Sequence, residues 1–416
     1  MAPQKPRPTR PSIGNPDTID EEQEPDSQPL HEPKIRCRLA RPQDSDTNTV
    51  RFAFLAEGAA NAVFSVNPAL PEKQPCFVFE DQSGETIPRA RIINKVLRIS
   101  KGNPKTLKYK EIMDGFETEV VPLFRKSESP ESETTVECND SSEAPKNALN
   151  LSIPDSYEEF VMEHEGVAIS PDSLRIILEE LHAHCPHNKH IAPHHLEERG
   201  ILLPDMSSHP RSSLTIEIKP KWLAQSPNAP RDAHLCRTCA LHALRKSQKD
   251  YHGSWICPLQ LVAGNITAIK QYLRDRIKES EELPVDVGMD VAGIVFRRAV
   301  PYLTSGPGHK ILQHIRYLQT RLDNKGVLVR DSTSHSDHCL RLAMTLRDCS
   351  LFVKIPYADE NAPIEAKLGD LDFKSHGKID DWIQKEVALL GGGWYLDVSS
   401  GMDQCLMAEG WRRYVP

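Results

Sequence analysis

An α+β fold is predicted for this chain of 416 residues, with short strands near the N-terminus and a mixture of helices and strands after them. In the first 125 residues, apolar side chains alternate or cluster in short stretches around a turn of small residues, as is typical of strands. Farther along, apolar side chains recur with the period of a helix. The length is sufficient for two or three structural units.

The first unit is expected to span residues 34–125 and to be mainly β. A strand pair should enclose the turn Glu57–Asn61, because its small residues separate two apolar stretches. The predicted elements are the strands Arg51–Phe54, Ala62–Val66 and Ala90–Ser100, followed by the helix Tyr109–Phe124.

The second unit is expected to span residues 151–416 and to mix helices with short strands. Ser170 precedes Pro171 and Asp172, which is a typical start of a helix. The predicted elements are the helices Ser173–His184 and Lys310–Leu322 and the strands Leu214–Lys219, Leu351–Ile355 and Ala366–Phe373.

Two polar segments, an N-terminal tail of residues 1–33 and an acidic insertion of residues 126–150, are predicted to be disordered, because they have few large apolar side chains to bury. The whole chain has a net charge of −8. The tail carries three cationic and seven anionic side chains, and residues 126–165 carry two and eleven. The remainder therefore has a net charge of +5, which suits an anionic ligand.

The composition excludes several classes of protein. No apolar run approaches the roughly 18 residues of a membrane span, and the N-terminus lacks the apolar core of a signal peptide. The ten cysteines are irregularly spaced, which favours reduced thiols in an intracellular protein over a secreted disulfide framework. The chain also lacks the concentrated Lys/Arg stripe that would predict direct binding to nucleic acid.

Common catalytic motifs are missing as well. There is no Gly-x4-Gly-Lys-Ser/Thr phosphate loop, no His-Glu-x2-His, no Gly-x-Ser-x-Gly, and no His-Arg-Asp or Asp-Phe-Gly pair. Common hydrolases and ordinary protein kinases are therefore disfavoured.

Two places in the first unit are suited to phosphate groups. The small residues of Glu57–Asn61 would let backbone N–H groups approach a polyphosphate, and the guanidinium of Arg98 in the next strand could brace it. A plain hairpin turn and a solvated charged edge are the alternatives.

A pair of lysines marks the second unit. Lys219 and Lys221 lie on one side of an extended segment whose backbone Pro220 fixes, so they present two ammonium groups to a dense anion. Two ordinary exposed lysines are the alternative.

Aspartates occur at predicted strand ends. Asp348 comes just before one strand, and Asp370 and Asp372 share a face at the end of another. A carboxylate in such a place can accept a proton from an attacking hydroxyl or hold Mg²⁺ bound to phosphates. Capping and loop roles are the alternatives.

In this order, these segments resemble the inositol-pentakisphosphate 2-kinase family, and fungal members in particular. The family patterns are Gly-Glu-Gly-x-Ala-Asn, Val-x-Arg-Ile-x-Lys, Glu-Ile-Lys-Pro-Lys, Thr-x-Lys/Arg-Asp-Cys-Ser and Asp-Leu-x-Leu-Lys. The chain matches them at Ala56–Asn61, Val96–Lys101, Glu217–Lys221, Thr345–Ser350 and Asp370–Lys374. The third and fourth matches are the most specific.

The resemblance implies an ATP- and Mg²⁺-dependent kinase that phosphorylates the 2-hydroxyl of inositol 1,3,4,5,6-pentakisphosphate to give inositol hexakisphosphate (phytate). It implies a distant protein-kinase-like fold of two lobes with an enlarged inositol-phosphate-binding C-terminal lobe. It also implies a location in the nucleus, the cytoplasm or both, and we expect a monomer.

By matching position, the resemblance assigns individual roles. Asp348 would be the catalytic base, Asp370 would bind Mg²⁺, and Asp372 would be a weaker Mg²⁺ ligand. ATP would contact Glu57, Gly58, Ala59, Ala60, Asn61 and Arg98, with Asp205 in the hinge that binds adenine. Substrate would contact Arg199, Lys219, Lys221, Lys374 and Lys378, with Trp382 where relatives often have Tyr.

Three departures from the family pattern stand out. Ala56 replaces the first glycine of the turn, Lys378 stands where some relatives have Arg, and an Asn-Asn-x-Arg segment used by some relatives is not found. Part of the substrate pocket is therefore unassigned.

A structural zinc is a further question. His234, Cys236, Cys239 and His242 offer four ligands, whereas the zinc of some plant relatives lies elsewhere in the chain with wider spacing. All four lie within nine residues in a segment with a helical pattern, which makes simultaneous ligation difficult. We expect the cysteines to pack in the core instead.

Two other functions are compatible with parts of the pattern. A non-catalytic inositol-polyphosphate-binding or scaffold protein of the same fold would keep the lysines and lose the acids, so the presence of Asp348 and Asp370 favours an enzyme. Other inositol-phosphate kinases usually carry Pro-x3-Asp-x-Lys-x-Gly, which is not found here.

Overall fold

The structure is a computed structural model, and its described part is α+β, as predicted. No helix in this part is both long and apolar enough to cross a membrane. The described residues are 32–58, 60–69, 75–102, 107–127, 134–136, 149–151, 153–185, 196–248, 254–280, 290–329, 334–397 and 404–408.

Seven strands form a closed sheet. The strands are β1 (Ile35–Leu39), β2 (Val50–Glu57), β3 (Asn61–Pro68), β4 (Phe77–Asp81), β5 (Lys95–Ser100), β8 (Glu165–Ile169) and β9 (Arg199–Pro204). Their order in the sheet is β1-β4-β2-β3-β5-β9-β8. The predicted turn joins β2 to β3, and β8 closes the sheet by running parallel to β1.

The inside of the closed sheet is an apolar core. Alternate residues of β3 are buried, including Phe64, because successive side chains of a strand point to opposite faces. Helix α2 (Pro171–His184) packs Ile177 and Leu181 into the same core. The hydroxyl of Ser170 accepts a hydrogen bond from the Ser173 N–H, which confirms the predicted start of this helix.

The segment predicted as one helix, Tyr109–Phe124, is helical but irregular. Helix α1 (Tyr109–Gly115) continues as a π-helical turn, Phe116–Val120, and a 3₁₀ turn, Val121–Phe124. At the junction Gly115 permits a close approach, since a Cβ there would lie 2.8 Å from the Cβ of Phe373.

A second sheet has three antiparallel strands, β10 (Ser213–Ile218), β11 (Ser350–Pro356) and β12 (Glu365–Gly369), with β11 in the middle. The predicted strand Ala366–Phe373 is too long, because Asp370 adopts a φ of 57° and turns the chain out of the sheet. Asp370 and Asp372 therefore do not share a strand face.

The predicted strand Ala90–Ser100 is likewise shorter in the structure. It begins at Lys95, and a 3₁₀ turn, Arg89–Arg91, precedes it.

Helices pack around the three-stranded sheet. The helices after α2 are α3 (Arg237–Gln248), α4 (Pro258–Val262), α5 (Ile266–Glu279), α6 (Val291–Thr304), α7 (Pro307–Leu322), α8 (Ser334–Asp348) and α9 (Ile379–Gly391). The largest apolar core joins this sheet to α5, α6, α7 and α8 and to the turns that follow α1.

The closed sheet does not end at the acidic insertion. Strands β8 and β9, which complete it, lie after residues 126–150 in the chain. Within that segment, β6 (Thr134–Val136) pairs with β7 (Leu149–Leu151), which its composition did not predict, and most other insertion residues lie outside the described ranges. Residues 1–31 of the predicted tail also lie outside them.

Candidate active site

Two cavities share part of their lining. The first has a volume of about 540 Å³ and the second about 640 Å³, and both are lined by Glu217 at the end of β10 and Arg276 of α5. Both volumes are typical of small-molecule sites. The Nε of Arg276 is buried and has no hydrogen-bond partner among the described residues.

The first cavity is strongly basic. Nine Lys or Arg side chains line it, against three acidic ones, Glu217, Asp348 and Asp381. A polyanion would therefore be attracted to it. The basic residues include the predicted Lys219, Lys221, Lys374 and Lys378, and the others are Arg237, Arg245, Arg276, Arg347 and Lys385; the predicted Trp382 also lines the cavity.

Asp348 lies between two of these lysines. It is the last residue of α8, and Cys349 joins it directly to β11. Its Oδ1 is 3.1 Å from the Nζ of Lys221, and its Oδ2 is 3.1 Å from the Nζ of Lys374. Burial raises the pKa of the carboxyl, but the two ammonium groups outweigh burial and hold this pKa below its usual value. Asp348 is therefore ionised at neutral pH.

A second charged group lies at the boundary of the cavities. The Nζ of Lys219 is 2.9 Å from Glu217 Oε1, 2.9 Å from Ser350 Oγ and 3.6 Å from Asp370 Oδ2. Burial opposes both charges, but the contacts with Ser350 and Lys219 lower the pKa of Glu217, and pairing with Glu217 raises the pKa of Lys219. The group therefore presents ionised oxygen atoms beside an ammonium group.

Backbone strain is concentrated at this site. Lys221 has a φ of 55° and Asp370 a φ of 57°, and Arg211 is the one other non-glycine residue of the described ranges with positive φ. This conformation costs a non-glycine residue on the order of 1–3 kcal/mol and is tolerated better by Asp than by Lys. The surrounding contacts must therefore hold these two backbones in place.

Gln319 of α7 supplies one such contact. Its side chain is fully buried, and its Nε2 lies 2.8 Å from the carbonyl oxygen of Lys221 and 3.2 Å from that of Leu346. Its Oε1 accepts a hydrogen bond from the Leu223 N–H at 2.9 Å. One amide thus ties the segment of Lys221 to the last turn of the helix that ends at Asp348.

Two arginines of the first cavity lie against the same aromatic ring. The guanidinium carbons of Arg237 and Arg347 lie 4.2 Å and 3.5 Å from the ring centre of Trp222. Arg237 also pairs with Glu386 at 2.6 Å, and Arg347 pairs with Asp323 at 2.6 Å, all in buried positions. These contacts fix the orientation of both guanidinium groups.

The second cavity combines apolar walls with charged groups. Arg98 and Asp370 line it, as does the predicted hinge segment Leu203–Met206. The apolar side chains that line it include Val63, Val96, Leu203, Met206 and Phe352.

Arg98 forms an ion pair across the site. Its side chain is 7% exposed, and its guanidinium lies 3.0 Å from Asp372 Oδ1. Burial raises the pKa of Asp372, but the positive charge of Arg98 outweighs burial, and the pKa lies below its usual value. Burial and the Arg98 charge lower the pKa of the neighbouring His164 to about 4, so this ring is neutral.

Replacing Asp372 with Asn is expected to destabilise the protein by about 3 kcal/mol at neutral pH, because it leaves Arg98 buried without its ion pair. The folded-state pKa of Asp372 is lowered, so the pair stabilises the fold above about pH 4 and is lost below it. Thermal unfolding of both proteins between about pH 7 and pH 3 should show a difference that narrows toward acid.

The exposed Asp380 provides the matched control for that measurement. Asp380→Asn should keep a small and constant difference from the native protein. A difference for Asp372→Asn that stays constant down to the lowest pH would contradict the ion-pair assignment.

The predicted phosphate turn is closed by backbone bonds. Gly58 N–H donates to the Asn61 carbonyl at 2.9 Å, and Lys101 N–H donates to the Ala60 carbonyl at 2.9 Å. The Nζ of Lys101 also pairs with Glu57 at 3.0 Å. Ala59 lies outside the described residues, and of the matched segment it is Ala56 that lines the second cavity.

Asp205 lines the second cavity, but its carboxylate accepts hydrogen bonds from a residue two positions further along the chain. Its Oδ1 accepts hydrogen bonds from the N–H and the hydroxyl of Ser207, at 2.8 Å and 2.5 Å. The Asp205 N–H donates to the Asn94 carbonyl, and the Nζ of Lys354 donates to the Asp205 carbonyl.

Arg199 is the predicted substrate residue that the structure places elsewhere. It lines neither cavity, and its guanidinium is 3.4 Å from Glu32 and 5.8 Å from the ring centre of Tyr109. Position in the chain alone, just before the hinge, gave no information on the direction of this side chain.

The four residues considered as candidate zinc ligands, His234, Cys236, Cys239 and His242, are only partly brought together. Cys236 and Cys239 lie close to each other, but their neighbours are Cys257 and Cys405, not the histidines. His234 precedes α3 and donates its backbone N–H to Tyr395, while the His242 ring stacks on Trp255 at 4.6 Å. Cys236 and Cys239 are 1% and 0% exposed, so both pack in the core, as expected from the sequence.

Three of the five basic residues of the first cavity that had no predicted role also lie outside every segment singled out in the sequence. Arg245 of α3, Arg276 of α5 and Lys385 of α9 come from helices distant in the chain. In the sequence each is one charged residue of an amphipathic helix, so only the fold shows that it faces the cavity.

The comparison with known proteins decides the family. A family model described as inositol-pentakisphosphate 2-kinase matches residues 54–388, which is most of the chain and includes both cavities. The chain belongs to the inositol-pentakisphosphate 2-kinase family. Every motif match from Ala56 onward lies within the matched region.

A curated relative in this family is the inositol-pentakisphosphate 2-kinase of Yarrowia lipolytica (strain CLIB 122 / E 150). It is 33% identical over 184 residues, which cover 44% of this chain and 54% of the relative. The aligned region thus spans about half the length of that relative.

Proposed function

We propose that this protein transfers the γ-phosphoryl group of ATP to the 2-hydroxyl of inositol 1,3,4,5,6-pentakisphosphate and so produces inositol hexakisphosphate. The observation that carries the proposal is the position of Asp348 between Lys221 and Lys374 in a cavity with nine basic side chains. Membership of the 2-kinase family supports the choice of reaction and substrate.

The first cavity is suited to the inositol substrate. Five phosphate groups need many cationic partners, and Lys219, Lys221, Lys374 and Lys378 provide flexible ammonium groups. Arg237 and Arg347 are instead held rigidly against Trp222, so they would contact phosphates from fixed positions. Trp382 would pack against the inositol ring, because it lines the same cavity.

Asp348 would accept the proton of the attacking hydroxyl. Such a base must be ionised before the reaction, and the two lysines keep it so. A phosphate bound to Lys221 or Lys374 would also place its substrate beside this carboxylate. Phosphoryl transfer needs this positioning more than covalent chemistry by the protein.

The second cavity is suited to ATP. Val63, Val96 and Phe352 offer apolar walls for adenine, and the hinge at Asp205 offers backbone groups. Arg98 could bind the phosphates from within the cavity, next to the turn Glu57–Asn61. The two cavities share Glu217 and Arg276, so the two substrates would meet there.

The carboxylates at this boundary fit a magnesium ion. Asp370 is 58% exposed, and its Oδ2 lies 3.2 Å from the Ser350 hydroxyl and near Glu217, which gives the hard oxygen ligands that Mg²⁺ prefers. Asp372 is less suited to bind Mg²⁺, because its carboxylate already forms an ion pair with Arg98. Bound Mg²⁺ would neutralise charge on the transferred phosphoryl group.

A two-lobed arrangement, distantly like that of protein kinases, is part of the proposal. The second cavity has walls from both the closed sheet and the three-stranded sheet, which supports it. The first lobe would then extend beyond residues 34–125 to include β8 and β9, and the second would carry the inositol-phosphate site. We further propose a monomer that acts in the nucleus, the cytoplasm or both.

The decisive measurement is a turnover assay. Purified protein with ATP, Mg²⁺ and inositol 1,3,4,5,6-pentakisphosphate is expected to give the hexakisphosphate and ADP in equal amounts, as separated by ion-exchange chromatography. Omission of the inositol phosphate should abolish ADP production. Calorimetric binding of the pentakisphosphate without any product would instead identify a non-catalytic binding protein and overturn the proposal.

A further inference from the structure

One face of helix α8 holds Lys374 at three points. Arg341, Thr345 and Asp348 follow one another in α8 at spacings of four and three residues, so their side chains lie on the same side of the helix. The Nε of Arg341 donates to the Lys374 carbonyl at 2.6 Å, and the Thr345 hydroxyl accepts the Lys374 N–H at 3.2 Å. Asp348 Oδ2 is 3.1 Å from the Nζ of Lys374. One helix therefore binds both the backbone and the ammonium group of this lysine.

Lys374 depends on these side chains because its segment has no regular structure. Residues 370–375 lie between β12 and the 3₁₀ turn His376–Lys378 and belong to no helix or strand. Backbone N–H and C=O groups in such a segment need partners other than those of a helix or a sheet. For Lys374 these partners are the Thr345 hydroxyl and the Arg341 guanidinium. The position of its backbone is thus set by α8.

The hydroxyl of Thr345 has a fixed orientation. The side chain is fully buried, and the hydroxyl donates its own proton to the Arg341 carbonyl at 3.0 Å. This bond leaves the lone pairs of the oxygen for the Lys374 N–H. The Asp372 carbonyl oxygen lies farther away, at 3.5 Å. Thr345 therefore offers the segment one acceptor in one place.

Arg341 rests on an aromatic ring. Its guanidinium carbon lies 4.1 Å from the ring centre of Phe373, which is buried. Phe373 in turn packs closely against Gly115 at the end of α1, and its ring centre is 5.2 Å from that of His338. The donor to the Lys374 carbonyl is therefore supported from below by packed side chains.

We propose that Thr345 and Arg341 are positioning residues that hold Lys374 beside Asp348. The inference rests on the proposed function, in which Lys374 binds a substrate phosphate and Asp348 accepts the proton. Neither positioning residue lines either cavity, so both act through Lys374. A lysine side chain is flexible, and a fixed backbone limits the places that its ammonium group can occupy before the substrate binds.

Calorimetric binding of inositol 1,3,4,5,6-pentakisphosphate tests the inference without turnover. Thr345→Val keeps the shape of the side chain and removes the hydroxyl, and should weaken binding about three- to tenfold, the effect of one lost hydrogen bond. Thr345→Ser keeps the hydroxyl and should bind within about twofold of the native protein. In a Lys374→Ala background, Thr345→Val should change the affinity by less than about twofold, because the ammonium group that it positions is gone.

The acid side of the rate profile tests the contact with Asp348. Burial raises the pKa of Asp348, but the charges of Lys374 and Lys221 outweigh burial and hold it below its usual value, and Lys219 is a third cation near this carboxylate. If Thr345→Val displaces the Lys374 ammonium group, this pKa rises, and kcat/KM should begin to fall at a higher pH than in the native protein. Comparison with the native protein removes the ionisation of the substrate phosphates, which is common to both.

Thr320→Val and Arg341→Met complete the set of variants. The Thr320 hydroxyl also donates to the carbonyl four residues earlier, that of Arg316 at 2.9 Å, but on the exposed side of α7. Its valine variant should keep the affinity and the pH profile of the native protein. Arg341→Met removes the donor to the Lys374 carbonyl but keeps an unbranched stem over Phe373, and should weaken binding as Thr345→Val does.

Two results would overturn the inference. In the first, Thr345→Val lowers the melting temperature while its affinity and pH profile stay those of the native protein, which would show a purely structural role. In the second, Thr345→Val costs the same affinity with and without the Lys374 side chain. A native protein that binds the pentakisphosphate but forms no product would refute the proposed kinase function alone, since the binding measurements still decide the role of Thr345.

Discussion

Asp348→Asn is expected to lower kcat by about a thousandfold and to leave the fold intact. Asparagine keeps the shape of the side chain but cannot accept the proton of the attacking hydroxyl. The two ion pairs that are lost, to Lys221 and Lys374, involve a carboxylate that is 58% exposed, so little stability depends on them. Turnover by chromatography and thermal unfolding of the same preparation measure both effects.

A control for Asp348→Asn is the same substitution at an aspartate outside the site. Asp380→Asn changes an exposed residue of α9 that lines neither cavity, and kcat should stay within about twofold of the native value. If Asp348→Asn retains more than about a tenth of the native kcat, another group accepts the proton and the assignment fails.

Lys219→Ala combined with Lys221→Ala is expected to raise KM for the inositol substrate by about a hundredfold or more. Each lysine would donate a charge-assisted hydrogen bond to a phosphate, worth about 1.5–3 kcal/mol, and tenfold in affinity corresponds to about 1.4 kcal/mol. The dependence of KM on salt should also weaken, because fewer ionic contacts remain to be screened. Initial rates over a range of substrate and salt concentrations measure both.

Two controls separate the pocket from general charge effects. Lys110→Ala combined with Lys278→Ala removes the same charge from exposed positions outside both cavities, and deletion of residues 1–30 removes most of the acidic tail. Both should leave KM within about threefold of the native value. An equal rise of KM in the Lys219/Lys221 variant and in the Lys110/Lys278 variant would show that the lysines act only through overall charge.

Local patterns predicted much of the fold. The strand pair around the turn at Gly58 and the helices α2 and α7 follow from apolar spacing and from a capping serine, which are properties of neighbouring residues. The strands β8 and β9 were not predicted, because short strands gain their stability from partners far away in the chain, such as β1 and β5.

The irregular points of the fold follow from tertiary contacts. The early end of β12 depends on the positive φ of Asp370, which nothing in the pattern Asp-Leu-Asp-Phe-Lys indicates. The π-helical turn begins directly after Gly115, where Phe373 approaches the backbone closely. Strained backbone conformations of this kind are held by contacts with residues distant in the chain, so a local sequence pattern does not predict them.

The candidate site, like the fold, was predictable from the sequence only where its residues lie in short motifs. Lys219, Lys221 and Asp348 lie within short motifs, and the structure brings them into one cavity. Arg98 and Asp372, which pair across 274 positions of the chain, could be marked as charged but not as partners. The position of Cys405 beside Cys236, Cys239 and Cys257 could not be predicted either, because no motif around Cys405 relates it to the other three cysteines.

Gln319 is expected to couple substrate affinity to turnover under the proposed function. Its amide donates to the carbonyls of both Lys221 and Leu346, so it links the segment of Lys221 to the last turn of the helix that ends at Asp348. A substitution that shifts one of them shifts the other. Adaptation of affinity at constant rate would therefore have to use residues outside these two linked segments, such as Lys378, directly before α9, and Lys385 within α9.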